Sequence, residues 1–187
     1  FQKDLFFRGY SSSPLLGVSQ GLSIYLGSTP LNEPLGQEVN WDMIPISAVS
    51  NITLISGATP LFGLNSLGGS LSFETKTGFS FDKTSIDLTT GSWGRHIANI
   101  QHGRNNGRLG YYVNLSYTEE DGWRDLSESE LHTIYASLSY RDELVSGDLF
   151  YLHGNSDLAG NGAVPEEILR RERDSIFTAP DLTENKT

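Results

Sequence analysis

The sequence predicts a mostly β protein in two parts, a small α+β domain followed by about five long antiparallel strands. Three observations lead there. The 187 residues include Gly 20, Phe 9, Tyr 8 and Trp 3 with no long aliphatic run, a composition that favours sheets and tight turns. Turn residues crowd the chain up to residue 79 and leave only short apolar runs between them. From about Lys83 onward, long stretches alternate apolar and polar residues, the period of a strand with two unlike faces.

In the first part, Gly21 to Leu26 reads as a strand, with Leu22, Ile24 and Leu26 alternating against Ser23 and Tyr25. Gly27-Ser28-Thr29-Pro30 turns the chain. Pro45 to Val49 can open a helix, because the fixed φ of proline suits a first helical turn. Ile52 to Ile55 is a second strand, closed by Ser56-Gly57. Leu71 to Thr75 is a third, after Gly68 and Gly69.

In the second part, strands are expected at about 84–92, 95–104, 108–120, 131–142 and 147–156. The third shows the pattern best: Leu109, Tyr111, Val113, Leu115 and Tyr117 share one face, and Gly110, Tyr112, Asn114, Ser116 and Thr118 the other. The fourth sets Ile134, Ala136, Leu138 and Tyr140 against Thr133, Tyr135, Ser137 and Ser139. Asn105-Asn106-Gly107 is a hairpin signal, since Asn and Gly accept positive φ. Either Ser146-Gly147 or the preceding Asp142-Glu143 region turns the next hairpin. Such strands suit a bilayer-spanning barrel, and the alternation alone suits a soluble sandwich or lipocalin-like barrel equally well.

The bulk numbers exclude several classes. A formal charge of −10 with no basic stripe argues against a nucleic-acid partner, because phosphate binding needs clustered Lys and Arg. With Cys 0 there is no disulfide framework and no thiolate metal site. Apolar runs fall far short of the roughly 18 residues of a spanning helix, whereas a spanning strand needs only about 9–11. The chain opens at Phe1 and closes on Glu184-Asn185-Lys186-Thr187, and both ends are expected to be cuts in a longer protein.

The search for chemistry returns little. Gly57 to Gly69 is glycine-rich, but no Gly-Lys-Ser/Thr follows, so a phosphate loop is not expected. His96, His102, His132 and His153 lack metal-ligand spacing. Glu119-Glu120-Asp121 is read as a solvated loop in preference to paired carboxylates. Arg170-Arg171-Glu172-Arg173, balanced by Glu166, Glu167 and Asp174, is read as a charged loop or short helix. No nucleophile–base pair stands out, so neither an enzyme nor a cofactor is expected.

The ordered motifs of the first part say more. Arg8-Gly9-Tyr10, Gly21-Leu22-Ser23-Ile24-Tyr25-Leu26-Gly27, Leu31-Asn32-Glu33-Pro34-Leu35-Gly36 and Asn40-Trp41-Asp42-Met43-Ile44-Pro45 come first. Gly57-Ala58-Thr59-Pro60-Leu61-Phe62-Gly63, Leu67-Gly68-Gly69 and Thr75-Lys76-Thr77-Gly78 follow. In this order and spacing the series resembles the plug domain of TonB-dependent outer-membrane receptors over almost all of residues 4–79. Gly91-Ser92-Trp93-Gly94 and Glu120-Asp121-Gly122-Trp123-Arg124 resemble the family's opening barrel strands and first extracellular loop. Gly160-Asn161-Gly162, Pro165 and Phe177-Thr178-Ala179-Pro180-Asp181 resemble a later loop of some members.

The resemblance implies a plug over 1–79, lacking its N-terminal part, and the start of an incomplete outer-membrane barrel over 80–187. It implies outer-membrane lipid as surroundings and a scarce ligand, a ferric siderophore or similar chelate. It also implies a TonB energy-coupling complex, whose contact segment lies N-terminal to the residues given. Upper plug loops carry ligand contacts in the family, and by position these are Tyr10, Ser11, Ser12, Gln37, Phe62 and Leu64. Two departures matter. The family commonly has a Glu and an Arg in the strand ending at Gly57, where this chain has Thr53 and Ser56, so a charged lock onto the wall is not expected there. Phe62 stands where Tyr is frequent, which removes a hydroxyl. The rival classes are a soluble β-rich ligand- or carbohydrate-binding module, a passive porin or autotransporter barrel, and, more distantly, a secreted hydrolase.

Overall fold

The computed structural model describes residues 4–14, 20–35, 37–58, 62–63, 65–159, 164–176 and 184–186. The chain divides into two compact units, Phe1–Lys76 and Thr77–Thr187.

The first unit opens with an antiparallel hairpin, β1 (Leu5–Phe7) and β2 (Tyr10–Ser12), turned at Arg8-Gly9 with both residues at positive φ. Its main sheet has four strands in the order β4 (Thr29–Pro30), β3 (Leu22–Leu26), β6 (Gly69–Thr75), β5 (Val49–Ser56). β3 and β6 run parallel, with Ile24 opposite Leu71 and Leu26 opposite Phe73. A parallel pair needs a crossover, and here it passes through β4, two single-turn 3-10 helices (Trp41–Met43 and Ile46–Ala48) and β5. The helix expected after Pro45 is therefore one turn long, because Val49 already enters β5.

Leu22, Ile24, Leu26, Val39, Ile44, Ala48 and Phe73 form the core. Each fully buried Leu or Ile contributes about 1.5–3 kcal/mol of transfer free energy. Ser23 is buried as well, so β3 is covered on both faces. The polar side of its alternation therefore packs a small hydroxyl instead of meeting solvent. β5 forms a sheet edge and is exposed from Asn51 to Ser56.

The second unit is an up-and-down sheet in which each strand pairs with its sequence neighbours: β7 (Thr84–Thr90), β8 (His96–Asn105), β9 (Leu109–Glu120), β10 (Ser129–Arg141), β11 (Ser146–Ala159) and the short β12 (Glu184–Lys186). The five long strands fall where the alternation places them. β9 and β10 pair without a register shift from Glu120↔Ser129 to Leu109↔Tyr140. The first turn is built on Asn106, whose side-chain oxygen accepts from the amides of Arg108 (3.1 Å) and Leu109 (2.8 Å), with Gly107 at φ +92°. The second spans Asp142 to Val145, closed by a 2.9 Å amide bond, and Ser146-Gly147 already lie in β11 opposite Arg141 and Tyr140. The basic run expected to be a loop or short helix follows a one-turn helix, α1 (Glu166–Leu169), with Arg170 paired to Glu166 at 2.7 Å.

The two faces of this sheet differ. Ile86, Ile100, Leu115 and Ile134 stand in one cross-strand row and are all exposed. On the opposite face Tyr112, Asn114, Thr118, Thr133, Tyr135, Ser137 and Ser139 are buried. Buried polar and exposed apolar residues on one sheet invert the arrangement of a water-soluble protein.

Candidate functional site

The residues expected to meet ligand fall in three places of the first unit. Tyr10 is half-buried in β2, and a side-chain carbon on either Gly21 or Gly68 would collide with its ring. Glycine at both positions is what lets the ring lie against the backbone there. Ser11 and Ser12 are buried, so their hydroxyls are turned away from solvent. Behind them Gln20 locks the chain by accepting from the amide of Ser13 (3.0 Å) and donating to its carbonyl (3.2 Å).

Gln37 occupies a left-handed position, φ +63°, in the turn between Glu33 and Val39. This turn is held by Asn32, whose Oδ1 accepts from the amide of Ile24 (2.7 Å). Its Nδ2 donates to the carbonyls of Leu22 and Gln37, each at 3.1 Å. Asn32 was legible only as one letter of the Leu-Asn-Glu-Pro-Leu-Gly motif. Its task, satisfying backbone groups of β3 and the turn together, belongs to an amide that donates and accepts at once.

Phe62 meets the ring of Tyr25 edge-on at 5.5 Å, and the Tyr25 hydroxyl donates to the Phe62 carbonyl at 2.7 Å. Tyr25 thus holds both the ring and the carbonyl of Phe62. Leu64 lies outside the described residues, as do Thr59-Pro60-Leu61, Gly160-Asn161-Gly162 and Phe177 to Asp181. The structure brings Tyr10, Ser11 and Ser12 together on one strand and gives Gln37 and Phe62 separate supports.

The second unit carries an aromatic ladder on its buried face. Phe81 meets Tyr112 edge-on at 5.4 Å, Tyr112 lies 6.2 Å from Tyr135, and Tyr135 stacks on Phe150 at 6.2 Å. The Tyr112 hydroxyl donates to Gln101 Oε1 (2.9 Å), and Gln101 Nε2 reaches Asp87 at 3.4 Å. Period-two reading places Tyr112 and Tyr135 on this face. It gives no sign that their rings meet across β9 and β10, which depends on register.

Other candidates separate. Glu119 accepts from Tyr117 (2.9 Å), whereas Glu120, on the opposite face, pairs with Arg95 at 3.8 Å. His102 bridges Thr84 (2.7 Å) and Tyr111 (2.9 Å), and His132 meets Glu130 at 2.9 Å. Among the described residues no three His, Asp or Glu side chains converge as a metal-binding group. The loop after β9 is fastened to the segment after α1. Arg124 donates to the carbonyl of Ser175 (3.2 Å), and the amide of Asp125 donates to that of Asp174 (2.8 Å).

Neither a protein-family model nor a curated protein sequence matches the chain. Solved structures do. The pyoverdine outer membrane receptor FpvA from Pseudomonas aeruginosa PAO1 matches with TM-score 0.68 at 16% identity, over 84% of this chain and 22% of that one. The copper transporter OprC matches with TM-score 0.65 at 16% identity, over 84% and 26%. The chain thus has the fold of TonB-dependent outer-membrane receptors, a plug followed by the opening strands of the barrel. It spans about a quarter of these neighbours' length, and they are a receptor and a transporter.

Proposed function

We propose that the chain is the plug and first barrel strands of an outer-membrane receptor that binds a scarce chelate, a ferric siderophore, and imports it by energy-coupled rearrangement of the plug. The observation that carries this reading is the pairing of a plug-like sheet with a meander whose apolar face is exposed and whose polar face is buried. An exposed row such as Ile86, Ile100, Leu115 and Ile134 suits hydrocarbon, and only a closed barrel satisfies its strand edges there. The matched receptor is bound to pyoverdine, which favours a ferric chelate, and the other neighbour, a copper transporter, makes copper an alternative cargo.

In this reading residues 1–79 serve as plug and 80–187 begin the barrel in outer-membrane lipid. A TonB complex then acts on the plug from the periplasmic side. Of the six ligand-facing candidates, Tyr10, Gln37 and Phe62 are only partly buried and would touch ligand. Ser11 and Ser12 would hold Tyr10 in place.

The test uses the intact protein that carries this chain, expressed in outer membranes. Expected are saturable binding of ferric siderophores and uptake that stops when the proton-motive force is dissipated. Copper uptake without ferric-chelate binding would change the cargo and keep the transporter. Recovery in the soluble fraction with affinity for glycans would replace the reading by that of a soluble binding module.

A further inference from the structure

A left-handed backbone is costly for any residue with a side chain, and more so for a bulky one. Two large apolar residues of the second unit adopt it nonetheless: Trp93, φ 55°, in the turn between β7 and β8, and Leu126, φ 50°, in the loop between β9 and β10. Both stay exposed, Trp93 at 60% and Leu126 at 55%. At the other end of the sheet the positive φ falls on Gly107, where it costs little. Strain at 93 and 126 thus gains little burial, and folding does not account for the choice of side chain. The two turns lie at the same end of the meander and are bonded to each other. The amide of Asp121 donates to the carbonyl of Trp93 (3.0 Å), and the Asp121 carboxylate fills the space that a Cβ on Gly94 would need. Ser127 Oγ donates to the carbonyl of Arg124 (2.6 Å) and accepts from its amide (3.3 Å), which fixes the loop. Trp123 is exposed in the same loop and already carries a cation, the Arg124 guanidinium 6.0 Å from its ring. Among the described residues no cation lies over Trp93.

The charge around these rings is one-sided. Residues 121–128 set Asp121, Asp125 and Glu128 against Arg124 alone, and the turn from Gly91 to Gly94 carries no charge. Glu119 and Glu130, opposite one another and exposed, stand between the loops and the exposed apolar row at Leu115 and Ile134. The loop residues therefore do not continue that apolar face. We propose that Trp93, Trp123 and Leu126 form a docking surface for a basic segment of a partner protein, with a Lys or Arg side chain of that segment over the open ring of Trp93. A cation is drawn by the indole face and by the surplus carboxylates at once. The aliphatic stem of such a side chain suits Leu126, and an anionic partner would be repelled. The strained backbone holds the apolar side chains out for the partner. The inference uses the loops of the second unit alone, so it stands or falls without the transport reading.

Fluorescence anisotropy of a labelled oligo-arginine peptide, titrated with the full protein that carries this chain in detergent, tests it. The peptide should bind, more weakly as salt is added, and oligo-glutamate should not. Trp93→Gly relieves the backbone at that position. Its urea unfolding should show a protein at least as stable as wild type, while its affinity for oligo-arginine falls about fivefold. Trp93→Leu keeps an apolar side chain without the π face and should lose affinity to the same extent. Affinity of Trp93→Gly within about twofold of wild type would reduce the binding to overall charge and overturn the proposal. Undiminished affinity in Trp93→Leu would point to an apolar partner, and binding of dextran in place of oligo-arginine to a glycan, and either result rules out the basic segment.

Discussion

Strand β3 of the first unit and strands β9 and β10 of the second follow opposite rules for the same apolar residue. In β3 the side chains of Leu22, Ile24 and Leu26 are at most 1% exposed, and the strand is covered on both faces. In β9 and β10, Leu115 is 43% and Leu138 46% exposed, while Asn114 and Ser139 are fully buried. Burying an amide and a hydroxyl while exposing leucines runs against the transfer free energies that govern a sheet in water. The first unit buries the apolar side chains of β3, Val39, Ile44, Ala48 and Phe73 in a core. The second exposes its apolar face and buries its polar one, and on the proposed function the exposed face meets lipid.

Substitutions in the two units sharpen that contrast. The largest effect is expected from Ile24→Ala, which leaves a cavity in the first unit's core and should cost about 2–5 kcal/mol. Chemical denaturation followed by the fluorescence of Trp41, which meets Phe73 edge-on at 6.3 Å, should show it once Trp93 and Trp123 are changed to Phe. Next is Ile134→Arg in the exposed row. It should cost about 2–4 kcal/mol in a lipid bilayer if this position lies near the midplane, and it would be nearly neutral in a water-facing sheet. Folding titrations into liposomes measure it.

Asn32→Ala removes three bonds that tie β3 to its following turn and should cost roughly 1–3 kcal/mol. Exchange of the Ile24 amide is the direct readout. The smallest effect belongs to Arg170→Ala, which breaks an exposed i,i+4 pair with Glu166 and should change stability by about 0.5 kcal/mol or less. A loss as large as that of Asn32→Ala would mean that α1 is fastened by more than this pair.

The strand unit was legible because period two is a direct consequence of backbone geometry, and the pleat alone decides which residues share a face. Leu109 to Tyr117 and Ile134 to Tyr140 therefore fall on the expected faces, and Asn106-Gly107 turns the chain where Asn and Gly allow. The first unit was legible through its motif series more than through periodicity. β3 shows an alternation over five residues, but the hairpin β1–β2 and the strand β4 carry none to read. The two possible turns after β10 were separated only by pairing, which draws Ser146 and Gly147 into the strand.

At the candidate site, sequence supplied positions without supports. Nothing in the order of residues shows that Tyr10 needs Gly21 and Gly68, that Asn32 carries the Gln37 turn, or that Tyr25 takes up Phe62. Those are long-range pairings that appear only once the parallel β3–β6 pair is formed. Thr53 and Ser56 lie exposed along β5.

The inverted polarity of the strand unit is the central claim, and collision accessibility of spin labels along β9 tests it most directly. With Cys 0 in the chain, single cysteines at 111 to 118 can be labelled one at a time in the intact protein reconstituted in lipid. The account predicts an alternation: labels at 111, 113, 115 and 117 collide with membrane-dissolved oxygen, and those at 112, 114, 116 and 118 do not. Equal access of a water-soluble nickel reagent to the odd-numbered positions would contradict it and place this sheet in water.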